Sequence, residues 1–358
     1  MRGPAIATVA QLSEFDEIID VRSESEYSED HIPGAINCPV LDDAERARVG
    51  TIYKQVSPFE AKKIGAALVS ANIARHLERR FLDRPRDWRP LVYCWRGGSR
   101  SGAFVTVLAS IGWRAGQLDG GYQAFRRAVL ADLARLPGRL RWRVLCGLTG
   151  TGKSRLLRAL ARAGGQVLDL EALAAHRGSV LGSLPGAPQP TQKMFESLLW
   201  QALTGFDPER PVYVEAESRR IGALRVPEAL IGAMWAGECL AIEAPIEVRV
   251  GLLEQEYAHF LERPEILAAQ LEPLAALHGR ATLAKWRELA LARRWDELIP
   301  ELLARHYDPA YSRAIARHYP ALGRAVRLEL REASEQAFDA LARRCLDDSR
   351  FAIRAPVS

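Results

Sequence analysis

The chain has 358 residues, which is too long for one ordinary hydrophobic core and suits two domains. Its apolar content of 48% and charged content of 26% are typical of a water-soluble globular protein. No apolar run approaches the roughly 18 residues that indicate a membrane span. The net charge of +5 permits a polyanionic partner such as nucleic acid without requiring one.

The five cysteines predict a reducing compartment. They stand at positions 38, 94, 146, 239 and 345, form no CxxC pair and have no metal-ligand spacing with histidine. The N-terminal segment 1–12 contains one arginine and no long apolar stretch, so it does not resemble a secretory signal. We therefore expect a cytoplasmic protein without a disulfide framework.

The segment 1–135 alternates strand and helix signals, which favours an α/β domain with a mainly parallel sheet. Ser57 predicts a helix start, because Pro58 follows in the first turn and Glu60 stands at the third position. Predicted strands cover 17–21 and 91–93, and predicted helices cover 58–81 and 101–111.

The pattern breaks near Leu136, Pro137 and Gly138, and we place a linker at 136–143. The second domain, 144–358, is predicted to contain another parallel sheet and a helical C-terminal region. Its predicted strands cover 144–146, 167–169 and 212–214, a helix covers 153–163, a Gly/Pro-rich loop covers 182–190, and the chain after about 245 is helical.

The first candidate site is the octapeptide CWRGGSRS at 94–101, which connects the predicted strand 91–93 to the following helix. Backbone N–H groups at such a helix start form a nest for negative charge, and the helix dipole with nearby arginines lowers a thiol pKa. Two glycines allow the loop to curl tightly. We predict a reactive thiolate at Cys94, in a catalytic loop of Cys94, Arg96, Gly97, Gly98, Ser99 and Arg100.

The N-terminal domain resembles the rhodanese-like family. The resemblance rests on the sequences IDVR at 19–22, EY at 26–27 and HIPGAIN at 31–37, together with the Cys94 loop. It implies that Cys94 carries sulfur or selenium as a covalent adduct. Arg100 stands six residues after Cys94, as in the phosphatase relatives of this fold, although Tyr93 replaces the histidine that usually precedes their cysteine.

The second site is a phosphate loop. The sequence GLTGTGKS at 147–154 fits G-x-x-x-x-G-K-S between a predicted strand and a predicted helix, which indicates a P-loop NTPase-like domain. Its backbone amides would wrap a diphosphate, Lys153 would neutralise charge, and the Ser154 hydroxyl would reach a Mg²⁺ ion if one is bound. The predicted phosphate-binding residues are Gly147, Thr149, Gly150, Thr151, Gly152, Lys153 and Ser154.

Acidic and polar residues after later strands are candidates to support a substrate or a metal ion. Glu215 and Glu217 follow the strand 212–214, and Asp169 and Glu171 have a similar but weaker claim after the strand 167–169. His176, Arg177 and Gln192 lie on polar, glycine-punctuated stretches beside this site that in isolation predict loop turns, and they become candidates only through the family resemblance of the combined domains.

The combination of both domains resembles the tRNA 2-selenouridine synthases. The resemblance rests on the two loops, LDLE at 168–171 with HRGS at 176–179, and EAESRRIG at 215–222. It implies a transferase that alkylates wobble 2-thiouridine with geranyl diphosphate and then exchanges the sulfur for selenium from selenophosphate. It further implies tRNAs with Lys, Glu and Gln type anticodons as partners. We expect no tightly bound cofactor and no membrane partner, and Mg²⁺ remains a candidate ion.

The residues leave three alternatives open: a nucleotide-dependent kinase with a regulatory rhodanese-like domain, a C-x5-R phosphatase-like enzyme and a non-catalytic tRNA-binding protein.

Arginines are candidate contacts to tRNA phosphates. They are Arg139, Arg141, Arg143, Arg219, Arg220, Arg293, Arg294, Arg313 and Arg317.

Overall fold

The computed structural model describes residues 5–179, 181–184 and 186–347. The chain divides into two compact units. The first contains the residues up to Leu133 together with the segment Thr191–Gln201, and the second contains the segments 134–190 and 202 onward. The sequence analysis did not anticipate that Thr191–Gln201 belongs with the N-terminal unit.

The first unit is built on a parallel sheet. Its strand order is β1-β5-β4-β2-β3, so β4 is the central strand. Its strands are β1 Ala5–Ala7, β2 Glu17–Asp20, β3 Ile36–Asn37, β4 Pro90–Tyr93 and β5 Gly116–Leu118, and its helices are α1 Glu24–Glu29, α2 Asp43–Gln55, α3 Pro58–His76, α4 Ser99–Ile111 and α5 Gly121–Arg135.

Local sequence explains how the first unit forms. The Ser57 hydroxyl accepts a hydrogen bond from the Phe59 amide at 3.2 Å, which confirms the predicted start of α3. Gly112 ends α4 with φ of 110°, in the left-handed region that favours glycine. Val92, Phe104 and Leu108 are fully buried in one core cluster, so β4 and α4 are fixed on both sides of the loop that joins them.

The second unit is also a parallel α/β structure. Its five-stranded sheet has the order β12-β11-β6-β8-β7, with β6 in the centre, and β9 and β10 form a separate antiparallel pair. Its strands are β6 Arg141–Cys146, β7 Gln166–Leu168, β8 Pro211–Glu215, β9 Arg220–Ile221, β10 Leu224–Arg225, β11 Glu238–Glu243 and β12 Val326–Glu329.

Helices cover this sheet and form the C-terminal region. They are α6 Lys153–Arg162, α7 Leu170–Ala174, α9 Glu228–Trp235, α10 Ile246–Glu256, α11 Ala258–Glu262, α12 Pro264–Gln270, α13 Ala275–His278, α14 Arg280–Leu291, α15 Trp295–Leu302, α16 Asp308–His318 and α17 Glu335–Asp347. The remaining helix, α8 Gln192–Thr204, lies mostly in the segment that belongs to the first unit. The α/β fold class with a helical C-terminal region is therefore confirmed.

Two details of the second unit differ from the prediction. The central strand begins at Arg141 rather than at residue 144, because Trp142 and Arg143 are already buried. The region after 245 is not purely helical, since β12 pairs with β11 at the edge of the sheet. Its inward-facing Leu328 is buried while its neighbours are not, which is the alternation of a half-buried strand.

Part of the helical region has a core of its own. Phe260, Leu271, Trp286 and Leu298 are buried in one cluster, and Trp295 packs against it from a partly buried position. Both tryptophans therefore pack between helices. Among the described residues, no helix combines the length and the apolar character needed to cross a membrane.

Candidate active sites

Cys94 directly follows the central strand of the first unit. Its Sγ accepts hydrogen bonds from the Gly98 amide at 3.3 Å and from the Ser101 hydroxyl at 3.2 Å. Burial of the thiol opposes ionisation, but the bonds from Ser101 and the charge of Arg100 outweigh it, so the pKa of Cys94 lies below its ordinary value. Burial instead raises the pKa of Cys38 to about 12. The environment thus favours a thiolate at Cys94.

Glycines make the tight curl of this loop possible. Gly97 has φ of +66°, and a Cβ there would lie 2.6 Å from the Leu118 carbonyl oxygen. Gly121 has φ of +55°, and a Cβ there would collide with the Cys94 carbonyl oxygen. By contrast, a Cβ at Gly98 would meet no heavy atom within 4 Å. The loop from Cys94 therefore packs against the start of α5 so closely that side chains are excluded.

Arg100 is held by a carboxylate. Its Nη1 lies 3.1 Å from Glu26 Oε2, an oxygen that Arg46 also contacts at 3.1 Å. Arg96 and Ser99 are exposed at the rim of the loop. The predicted loop residues are thus together, with Arg100 fixed in place and Arg96 facing solvent.

Two donors near the thiol were not predicted as site residues. Ser101 is fully buried and binds both Cys94 Sγ and the Gly98 carbonyl. Gln117, on β5, donates to the Gly97 carbonyl at 2.6 Å and to the Ser101 hydroxyl at 3.0 Å. Ser101 stands in the conspicuous octapeptide and could have been found, whereas Gln117 carries no sequence signal.

A buried polar network supports the same loop. Arg22 donates to the Asp20 carboxylate and to the Asp30 carbonyl, and its guanidinium lies 4.0 Å from the centre of the Tyr122 ring. The Tyr122 hydroxyl donates to Asp30 at 2.7 Å, and its amide donates to the Cys94 carbonyl at 2.9 Å. This network fixes the backbone on which the thiol stands.

The phosphate loop follows the central strand of the second unit. Gly150 and Gly152 have φ of +81° and +76°, so both occupy the left-handed region. A Cβ at Gly152 would lie 2.6 Å from the Phe338 ring. The Arg249 side chain donates to the Thr149 carbonyl at 2.9 Å and pairs with Asp308 at 2.6 Å. These contacts hold the loop in place at the N-terminus of α6, a position where backbone N–H groups suit an anion.

Lys153 lies inside this loop. Its Nζ donates to the Gly147 carbonyl at 3.0 Å and lies 5.2 Å from the centre of the Tyr311 ring. The Gly147 amide in turn donates to the Tyr311 hydroxyl at 2.9 Å. Tyr311 comes from α16, more than 150 residues along the chain, and the sequence analysis missed it because no motif marks it.

Three carboxylates converge beside Lys153. Glu171, Glu215 and Glu217 each offer an oxygen, and these oxygens lie within 4.8 Å of one another. The Ser154 hydroxyl is 3.5 Å from Glu171. Burial and the neighbouring carboxylates raise the pKa of Glu171 to about 9 and that of Glu217 to about 8, and burial raises the pKa of Glu215.

One oxygen in this cluster lacks a partner. Glu215 is 5% exposed, and its Oε1 has no hydrogen-bond partner among the described residues. An unpaired buried carboxylate oxygen is costly unless a cation or a proton satisfies it. Carboxylate and hydroxyl oxygens suit Mg²⁺, so the residues present fit such an ion.

These side chains line one cavity of about 880 Å³ in the second unit. His176 and Arg177 lie in its wall, as does Asp169, whose carboxylate accepts from the Ala172 amide as the cap of α7. Gln192 is outside the set that lines this cavity; it begins α8, donates to Glu196 at 2.9 Å and belongs to the segment grouped with the first unit.

The cavity wall also carries Arg219 and Arg220. Both are exposed, and Arg219 pairs with Glu228 at 2.8 Å. The prediction that Arg143 contacts tRNA phosphates is wrong, because its side chain is buried and donates to the Tyr213 hydroxyl at 2.6 Å. Burial of this arginine is tolerated because buried hydrogen-bond acceptors, the Tyr213 hydroxyl and the Cys345 carbonyl, pair with it.

Comparison with known proteins identifies both units. Residues 6–128 match the rhodanese-like domain, and residues 140–275 match the AAA domain of tRNA 2-selenouridine synthase. A tRNA 2-selenouridine synthase from Bdellovibrio bacteriovorus is 33% identical over 298 residues, with 76% of each chain covered. The chain belongs to the tRNA 2-selenouridine synthase family.

Other members of this family are similar to this chain to the same degree. The synthase from Hydrogenovibrio crunogenus is 37% identical over 256 residues, with 67% of each chain covered. The synthase from Nitrosomonas europaea is 35% identical over 244 residues, a match that spans 67% of this chain and 63% of that protein. The predicted family is thus confirmed.

Proposed function

We propose that this protein is a transferase that converts 2-thiouridine in tRNA to 2-selenouridine in two steps. The observation that carries the proposal is the presence of two different glycine-rich loops, each between the central strand of a parallel sheet and a helix. One presents a thiol with a lowered pKa, and the other presents a lysine beside three carboxylates. Family membership supports the same activity.

We assign the first step to the phosphate loop. The loop amides and Lys153 would hold the diphosphate of geranyl diphosphate, with its first carbon facing the 2-thio sulfur of the nucleoside. The C–S bond forms, the C–O bond to diphosphate breaks, and the N3 proton of the base is released. A Mg²⁺ ion at Glu171, Glu215 and Glu217 would supply charge neutralisation for the leaving diphosphate.

The second step belongs to the Cys94 loop. A selenium adduct on Cys94, which the family resemblance implies, would form by thiolate attack on selenium, expel phosphorus as phosphite and require a reductant to release selenium. Attack of Sγ on the phosphorus of selenophosphate produces no phosphite and requires no reductant. The S–P bond forms, the P–Se bond breaks and hydrogen selenide leaves. The spacing from Cys94 to Arg100, shared with phosphatase relatives, supports attack at phosphorus.

Hydrogen selenide then completes the exchange. It adds to C2 of the S-geranyl nucleoside, the C2–S bond breaks and geranyl thiol leaves, while N3 regains a proton. Water cleaves the S–P bond and restores Cys94 with release of phosphate. An alkylated sulfur leaves more readily than a thiocarbonyl sulfur, which explains why geranylation comes first. Arg96 and the loop amides would bind the phosphoryl oxygens.

The proposed partner is tRNA with Lys, Glu or Gln type anticodons, as the family resemblance implies. Exposed Arg219 and Arg220 on the cavity wall support contact with the nucleic acid backbone near the phosphate loop. We also propose that the reaction takes place in the cytoplasm, where tRNA and reduced thiols occur together.

The test is mass analysis of nucleosides from 2-thiouridine-containing tRNA after incubation with the protein, geranyl diphosphate, selenophosphate and Mg²⁺. Wild type should form 2-selenouridine, Cys94→Ala should accumulate the S-geranyl nucleoside, and Lys153→Ala should leave 2-thiouridine unchanged. Phosphorus NMR should show phosphate as the second product, and phosphite in its place would contradict attack at phosphorus.

Two outcomes would favour the alternatives. Nucleotide hydrolysis that is indifferent to Cys94→Ala, with no modified nucleoside from folded wild type, would favour a kinase. Hydrolysis of aryl phosphates that Cys94→Ser abolishes, again with no modified nucleoside, would favour a phosphatase-like enzyme.

A further inference from the structure

A narrow apolar slot lies next to the phosphate loop within the second unit. It is lined by Phe260, Leu267, Leu298 and Ile299, together with Leu181 from the loop after α7. Leu298 and Phe260 belong to the buried core of the helical region. The slot therefore lies against the packed core of α11, α12 and α15.

The slot opens toward the phosphate loop. Four residues line both the slot and the large cavity, and they are Thr149, Leu253, Tyr257 and Tyr307. Thr149 is itself a member of the phosphate loop. A ligand with its phosphates on the loop could thus place its other end in the slot without leaving the protein. The chemical class that fits both regions is a diphosphate that carries a hydrocarbon chain.

The size of the slot limits the length of that chain. Its volume is about 70 Å³. One water molecule needs about 10–15 Å³ of such space. The slot therefore holds about five to seven groups of that size, which corresponds to the five carbons of one isoprene unit. An apolar wall gains dispersion contacts and loses unfavourable hydration when hydrocarbon fills it.

We propose that this slot binds the second isoprene unit of a ten-carbon prenyl diphosphate and sets the chain length of the donor. The first isoprene unit, which carries the reacting carbon, stays at the mouth beside Tyr257 and Tyr307. A five-carbon donor does not reach the slot, and a fifteen-carbon donor exceeds it. This inference rests on the proposed prenyl transfer at the phosphate loop.

The test compares inorganic diphosphate, dimethylallyl diphosphate, geranyl diphosphate and farnesyl diphosphate by titration calorimetry in the presence of Mg²⁺. Wild type should bind geranyl diphosphate at least about tenfold more tightly than dimethylallyl diphosphate, because only the longer chain is buried. Ile299→Trp fills the slot from a partly buried position and should bind both ligands equally. Leu298→Ala enlarges the slot and should improve binding of farnesyl diphosphate relative to geranyl diphosphate.

Two controls separate the slot from general damage. Leu291→Trp adds the same bulk at an exposed position of α14 and should keep the preference of wild type. Binding of inorganic diphosphate by Ile299→Trp should match wild type, which shows that its phosphate loop is intact.

The inference is overturned if wild type does not distinguish geranyl from dimethylallyl diphosphate, or if Ile299→Trp keeps the distinction. The proposed function is read separately, from formation of the S-geranyl nucleoside. Selective binding of geranyl diphosphate without formation of the S-geranyl nucleoside would support the slot and contradict the proposed function. Formation of that nucleoside, with an unchanged preference for geranyl over dimethylallyl diphosphate in Ile299→Trp, would support the function and contradict the slot.

Discussion

The cysteine loop and the phosphate loop occupy equivalent places in two sheets of the same kind. Each follows the central strand of a five-stranded parallel sheet and leads into a helix, α4 or α6. The polar groups in and beside the two loops differ, however. Cys94 Sγ already has an amide and a hydroxyl donor in place, whereas Glu215 Oε1 has no partner among the described residues.

This difference follows from the charges that each loop must stabilise. The first loop stabilises negative charge on an atom of the protein, so its donors can be complete before any substrate arrives. The carboxylates beside the second loop have raised pKa values, so a proton or a cation is needed to balance their charge. One fold position is thus followed by a thiol with its donors in place in one unit, and by a cluster with an unsatisfied carboxylate oxygen in the other.

The largest expected effect tests whether the cysteine loop is truly preformed. Gly121→Ala places a Cβ against the Cys94 carbonyl at a positive φ, so the loop must move. We expect selenation to fall by about 100-fold or more, with a loss of about 2–4 kcal/mol in the free energy of unfolding. S-geranyl nucleoside should still form. Nucleoside mass analysis and thermal unfolding measure both effects.

Gly98→Ala is the matched control, because it adds the same methyl group in open space and keeps the amide that binds Cys94. Equal losses in both variants would mean that the loop tolerates displacement and is not preformed.

A smaller effect tests whether the second loop depends on a cation. Glu215→Gln keeps the shape of the side chain but removes its charge from the carboxylate cluster. We expect the Mg²⁺ concentration for half-maximal geranylation to rise by about 10–100-fold. Stability without Mg²⁺ should not fall, because burial already disfavours the charged form of Glu215 and the substitution removes that charge.

Glu247→Gln, at an exposed position of α10, serves as the control and should leave the Mg²⁺ response unchanged. If Glu215→Gln responds to Mg²⁺ as wild type does, the carboxylates act without a metal ion and the contrast between the loops fails.

The smallest expected effect concerns a single donor to the thiol. Ser101→Ala removes a hydrogen bond that stabilises the Cys94 thiolate, so the pKa of Cys94 should rise. Because only the thiolate reacts, alkylation by iodoacetamide at neutral pH should slow by about three- to tenfold and recover as pH increases. Peptide mapping of the Cys94 adduct across a pH series measures the shift.

Ser99→Ala changes an exposed serine of the same helix start and should leave the alkylation profile unchanged. An unchanged profile in Ser101→Ala would show that the loop amides and Arg100 maintain the thiolate without the hydroxyl.

Sequence patterns predicted both strand–loop–helix segments because each requires a short, local arrangement. Glycines, a nucleophile or lysine, and an apolar strand stand within about twenty residues of one another. The α/β class followed from the same alternation of strands and helices. These features depend on neighbours in the chain, which a single sequence displays directly.

What the sequence did not reveal depends on contacts across the fold. Gln117 reaches the Cys94 loop from a neighbouring strand, and Tyr311 reaches the phosphate loop from α16. Glu171 had only a weak claim until the parallel pairing of β7 with β8 brought the residues after β7 close to Glu215. Arg143 was misjudged because its charge suggested exposure, while a buried tyrosine hydroxyl provides its partner.

The internal bonds of the phosphate loop have a further consequence for selectivity. Lys153 binds the Gly147 carbonyl, and the Gly147 amide binds Tyr311. Entry of a ligand is therefore an exchange, in which new bonds must replace existing ones. On the proposed function, a single phosphate would offer few replacements, whereas a diphosphate would reach both the amides and the ammonium group. We therefore expect the loop to favour diphosphates over monophosphates before any part of the hydrocarbon chain is recognised.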